Sequence, residues 1–160
     1  MKAKNLLLIS SILLVTGTSA AESEISIGTT LSPEEVSKLN GPDIQLGEQS
    51  LKIIDQNDSA NKLLRTSAGG QRTYVVNNQG VVGASENVVL ISGISTAKVH
   101  ASAKETLNAA ISIKYYDHLN VSYLRFKSFD QAILAREKLI KLFPNAEITI
   151  PIKFSEPKVR

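Results

Sequence analysis

Few residues of this 160-residue chain have the type and spacing that chemistry needs. It has no Cys, which removes thiol nucleophiles, disulfides, iron–sulfur clusters and Cys-based zinc sites. It also removes the lipid anchor that requires a Cys just behind a signal. His100 and His118 are too few for a histidine-rich metal site. Asp117 and His118 are sequence neighbours, so an orienting bond of the triad type would need another acid. No Ser stands in a Gly-x-Ser-x-Gly setting. Asp55-Gln56-Asn57-Asp58-Ser59 offers oxygen ligands but lacks the Gly and the distant Glu of a calcium loop. It reads as a solvated loop, as His118 reads as a turn residue. Gly80 and Gly83 fall inside a hairpin pattern, not at a strand-to-helix turn, which argues against phosphate binding. Tyr115, Tyr116 and Tyr123 have faces on which a sugar or a base can stack; cross-strand packing is their expected use. The residues predict no enzyme, no metal and no cofactor.

The N-terminus predicts a destination. Lys2 and Lys4 precede an apolar run from Leu6 to Val15, and Thr16-Gly17-Thr18-Ser19-Ala20 supplies small residues before Ala21 and Glu22. This is the layout of a cleavable secretory signal over residues 1–20. The run is too short to span a bilayer, which takes about 20 apolar residues. A periplasmic or secreted protein is expected, with no membrane contact after cleavage. Beyond residue 20 the chain holds 16 basic and 15 acidic side chains, net +1. That is no electrostatic footprint for nucleic acid. The charge is uneven, however. Residues 22–70 carry four basic and eight acidic side chains, and residues 121–160 carry eight basic and four acidic. The acidic segment can fold over the basic end, the basic end can meet an acidic partner, or both can be solvated faces.

A composition of 42% hydrophobic and 21% charged residues fits one globular domain with an extension. Residues 21–70 read as an N-terminal arm with little core of its own. Ser32-Pro33-Glu34-Glu35 starts a helix there, with Ser32 and Glu35 as a capping box. Residues 71–160 read as the folded domain. Thr73–Val76 and Val81–Gly83 flank a Gly-containing turn and predict a hairpin. Asn87–Ser92 reads as a buried strand, Ala101–Ile111 as a helix, Ile113–Tyr116 and Val121–Phe126 as strands. Ser128 caps a clear helix whose Phe129, Ala132, Ile133, Leu139, Ile140 and Phe143 share one face. Ala146, Ile148, Ile150, Ile152 and Phe154 alternate with polar residues, which predicts one last strand with Pro151 at an edge or end. From Asn87 the order is strand, helix, strand, strand, helix, strand. The expected fold is α+β: a ferredoxin-like split βαβ sandwich, an antiparallel sheet with two helices on one face, preceded by a β-hairpin and the arm. Leu124, Phe126, Leu139, Ile148 and Ile150 are the expected core.

Two families share this pattern. Asn120 to Phe126, the amphipathic helix, then Phe143-Pro144-Asn145-Ala146-Glu147-Ile148 and a strand running into a polar tail resemble subtilisin-type propeptides. Without an attached protease the chain is most similar to the external chaperone of a secreted subtilisin/kexin-like serine protease. That resemblance covers roughly residues 72–160 and implies a protein partner, the protease. It also implies that the tail, residues 153–160, enters the protease cleft as an added strand. Glu156, Pro157, Lys158, Val159 and Arg160 would be the binding residues, with Arg160 in the primary specificity pocket. Leu124 to Ala132 also resembles the second half of sporulation-related repeat domains, which bind denuded peptidoglycan. This makes a periplasmic glycan-binding domain the alternative.

Overall fold

The structure, a computed structural model, describes residues 26–54 and 72–155. Two antiparallel sheets and four α-helices make up this α+β fold. The first sheet has the order β1-β2-β3-β4-β9, with β1 at Asp43–Leu46, β2 at Gln49–Ile54, β3 at Thr73–Asn77, β4 at Val82–Ser85 and β9 at Ile152–Lys153. The second has the order β6-β7-β5-β8, with β5 at Val88–Ser92, β6 at Ser112–Tyr116, β7 at Val121–Arg125 and β8 at Glu147–Thr149. The helices are α1 at Pro33–Lys38, α2 at Thr96–Ser102, α3 at Lys104–Ala109 and α4 at Phe129–Leu142.

The segment expected as an arm contributes α1, β1 and β2. Its β1–β2 hairpin closes through Gly47-Glu48, a two-residue loop. Gly47 sits at the first central position with φ +66°, as a type II′ turn requires. The expected capping box is present: Glu35 N–H donates to Ser32 Oγ at 3.3 Å, and Ser32 N–H to the Glu35 carboxylate at 2.7 Å. β2 pairs with β3, and β3 with β4 across the expected hairpin. In that turn Asn77 Oδ1 accepts from the N–H of Gln79 and of Val81. The first sheet buries both faces, which is why Tyr74-Val75-Val76 reads as an unbroken apolar run. Ile54, Tyr74, Val76, Val82 and Ala84 pack under Leu31 and Leu39, with Val36 of α1 half-buried beside them. Leu51 and Val75 face the main core on the other side.

The second sheet, α2, α3 and α4 form that main core. Val89, Ile91, Leu124 and Ile148 meet Val99, Leu107, Ala132, Ala135 and Leu139. The five residues expected at its centre, Leu124, Phe126, Leu139, Ile148 and Ile150, are buried. Ser128 caps α4 as expected, its hydroxyl accepting from Gln131 N–H at 3.3 Å. The buried face of α4 is rotated slightly from the expected one: Ala135 is buried and Ile140 is exposed. The helix expected over Ala101–Ile111 is two short ones. α2 begins earlier, capped by Ser95, and the chain breaks at Ala103 before α3.

The largest difference lies at the end. The strand expected over Ala146–Phe154 is split at Ile150-Pro151 into β8 and β9, which belong to different sheets. Pro151 has no N–H for a ladder, so β8 stops before it and β9 starts after it. The partner strands do likewise. β4 pairs with β9, and β5 with β8. Between the pairs Ser85↔Ile152 and Leu90↔Thr149 lie residues 86–89 on one side and only 150–151 on the other. Extra residues on one strand of a ribbon bend it. Asn87 occupies this corner with φ +58° and is buried. Its Oδ1 accepts from Thr73 Oγ1 at 2.9 Å, its carbonyl from Phe126 N–H at 2.9 Å, and its N–H donates to Ser85 Oγ at 3.2 Å. One Asn thus joins both sheets.

Candidate interaction surface

Strand alternation divides the second sheet into a covered and an open face. The cross-strand pairs Leu90↔Tyr123 and Lys114↔Tyr123 align Thr149, Leu90, Tyr123 and Lys114 in one row on the open side. Val121 and Tyr116 form a neighbouring pair, and Arg125 lies between Val88 and Ser112. Leu90, Val121 and Tyr123 are half-buried, whereas Tyr116 is 40% exposed. The Lys114 ammonium stands 5.8 Å from the centre of the Tyr123 ring, a cation–π distance. At one end Ser92 Oγ donates to the Glu147 carboxylate at 3.3 Å. Val88 on the same side is buried, so the open part of the face is an apolar–aromatic strip over Leu90, Tyr123, Val121 and Tyr116, with Lys114 and Arg125 beside it.

The three tyrosines therefore do not form one patch. Tyr115 points to the helix side, where it meets the edge of the His100 ring at 5.9 Å between centroids. A hydrogen bond of 3.3 Å joins its hydroxyl to His100 Nδ1, and burial pushes its pKa up. Asp117 and His118 lie in a 3-10 turn, as the turn reading expects. The Asp117 carboxylate accepts from the hydroxyl of Thr96, tying that turn to the start of α2.

The second part of the surface is the C-terminal strand. Phe154 lies across from Gly83: a Cβ on that glycine would come within 2.7 Å of the Phe154 ring and 2.8 Å of the Ile152 side chain. Lys153 Nζ donates to the Glu86 carboxylate at 3.1 Å, and this bond first of all holds Glu86 below the usual carboxylate range. On the same border of β4, Gly28 N–H donates to Val82 O and Leu31 N–H to Gly80 O. Residues 28–31 and 152–155 so run along one edge of β4. Glu156, Pro157, Lys158, Val159 and Arg160, the tail expected from sequence, lie outside the described residues, as do the signal segment and the Asp55–Ser59 cluster. Among the described residues no group of His, Asp and Glu gathers as metal ligands do, and no helix is long and apolar enough to cross a membrane. What sequence reasoning did not name is the set of residues that line the open sheet face. Its signal was the alternation in Val121-Ser122-Tyr123-Leu124-Arg125, which places Leu124 inside and Tyr123 outside. Compared with family models, curated proteins and solved structures, the chain matches none.

Proposed function

We propose that the chain is a periplasmic or secreted chaperone and inhibitor of a separate subtilisin- or kexin-like serine protease, and not itself an enzyme. The observation that carries this reading is the second sheet. Its order β6-β7-β5-β8, with α2 to α4 in contact with one side, supports reading residues 87–150 as a ferredoxin-like unit. The other side offers Leu90, Val121, Tyr123 and Tyr116. A folding template must present a surface that is already rigid, so that docking costs little ordering entropy. Sheet residues held by cross-strand pairing meet that need. Lys114 and Arg125 suit a partner surface that carries acids.

The tail has the second role. After Ser155 it holds Glu156 to Arg160, and five extended residues reach roughly 17 Å at most. Pro157 restricts the free tail and lowers the entropy lost on docking. Arg160 makes a bidentate pair with a carboxylate at the base of a specificity pocket. The route differs from that of the propeptides it resembles. Here the last strand of the second sheet stops at Thr149, and the tail leaves from the β4–β9 edge of the first sheet. Templating and blocking thus belong to different sheets, and separate variants can test them. Deleting Lys158–Arg160, or making Arg160→Ala, should weaken inhibition of the candidate protease by tenfold or more, roughly one lost charged hydrogen bond. Tyr123→Asp should instead lower the yield of folded protease. Tail variants that inhibit as well as the parent would refute the tail mechanism. The exposed Tyr116 with Tyr123 also favours a second reading, stacking on glycan rings. A parent chain that ignores the protease but sediments with denuded peptidoglycan would replace the first reading with that one.

A further inference from the structure

We infer that the chain's own tail, Glu156–Arg160, docks in the groove between the β1–β2 turn, α4 and the corner of β8 and β9, and so keeps its basic residues covered. The described chain ends beside this groove, because Phe154 is part of its floor. The tail cannot follow β4 further. Extending the β4–β9 register sets Ser155 against Val82. The Val82 carbonyl already accepts from Gly28 N–H at 2.8 Å, and its N–H donates to Thr29 O at 2.8 Å. The tail therefore turns off the sheet edge after Ser155. Of the two faces beside it, one is covered by Leu31, Leu39 and Val36. The other, on the side of the main core, carries the groove. Its volume of about 820 Å³ falls within the roughly 300–1,000 Å³ of ordinary ligand sites.

The residues on both sides select this occupant. An extended chain turns successive side chains to opposite sides. In Glu156-Pro157-Lys158-Val159-Arg160 the three charges then share one side, and Pro157 and Val159 share the other. The groove has the same division. Leu46, Ile150, Ile152 and Phe154 supply an apolar floor, and Arg136, Glu147 and Glu48 supply the charges. Arg136 Nε donates to Ile148 O at 3.1 Å, which fixes the guanidinium at the rim. Glu156 meets Arg136, while Lys158 and Arg160 meet Glu147 and Glu48. Glu48 belongs to the acidic segment of the sequence and the tail to the basic one, so the uneven charge closes on itself here. A tethered segment also meets its site at an effective concentration in the millimolar range, which a separate partner has to exceed. Tail and groove belong to one chain, so the inference does not rest on the protease reading.

Trypsin reads the docking without any partner, because Lys158-Val159 is a bond it cleaves and the shortened product is identified by mass. Cleavage of a segment that opens and closes quickly tracks its open fraction. In the full chain this bond should be cut roughly tenfold or more slowly than in the free peptide Ser155–Arg160, at every protein concentration. The double variant Glu48→Lys, Glu147→Lys should be cut at about the peptide rate. Both positions are exposed, so its thermal melt should match the parent. A parent cut as fast as the peptide overturns the inference, and so does a double variant cut as slowly as the parent. Protection that disappears on dilution also overturns it, since the groove would then hold the tail of another copy. A tail docked about nine-tenths of the time is offered to a protease for about one-tenth of it, so the double variant should also inhibit the candidate protease about tenfold better. Faster cleavage with unchanged inhibition supports the docked tail and counts against the protease reading alone.

Discussion

Gly83 shows how much can rest on one missing methyl group. Phe154 and Ile152 close over it so tightly that an Ala there would have to push an aromatic ring off the sheet. Overpacking of this kind costs about 1–3 kcal/mol. Gly83→Ala should lower the urea midpoint accordingly without changing the slope, because the surface exposed on unfolding stays the same. A midpoint equal to that of the parent would mean that Phe154 does not seal β9 onto β4. Glu86 works on the same joint from outside, through Lys153, but a half-exposed ion pair contributes only a few tenths to about 1 kcal/mol. The ring over the glycine, rather than the charge pair, holds the C-terminal strand.

α4 is the element in which sequence and structure agree best. Leu139 is fully buried and Ile140 is 38% exposed. Leu139→Ala should cost about 2–5 kcal/mol, against a total stability of about 5–15. Ile140→Ala should stay within about 0.5 kcal/mol, and thermal melts of the two variants check the assignment of the face. α4 was legible because a capping Ser128, a regular apolar stripe and Pro144 mark its limits. The last strand was misread for a physical reason. Ile148, Ile150, Ile152 and Phe154 keep a period of two across Pro151, and alternation records which side a residue faces but not which sheet it belongs to. β1 and β2 were missed because Ile44 and Leu46 are only half-buried and the turn signal is the single Gly47. α2 was missed because Thr96-Ala97-Lys98-Val99 carries one buried valine and no apolar stripe. The candidate tail was legible only through a resemblance of chain endings. The lining of the open face follows only from the partners of Leu90 and Tyr123.

At the scale of the whole molecule the two sheets are one object. Both strands of the bent ribbon pass from one sheet to the other, and Asn87 is bonded to both. Unfolding should therefore be a single transition. Tyr74 reports on the first sheet, and Tyr115, Tyr116 and Tyr123 report on the second. Urea curves from tyrosine fluorescence of a Tyr74-only chain and from circular dichroism should coincide. Two separated midpoints would show that the ribbon is a hinge between independent units. The border of β4 has a further consequence, in time rather than in energy. An emerging chain delivers Gly28–Leu31 to that border well before Ile152–Phe154. Closing so long a loop is slow, since its entropy is lost before the contacts reward it. Until the ring of Phe154 arrives, β4 has half an edge and Gly83 lies bare. The molecule thus carries its own clock: its first sheet stays unfinished until the segment around Phe154 has emerged.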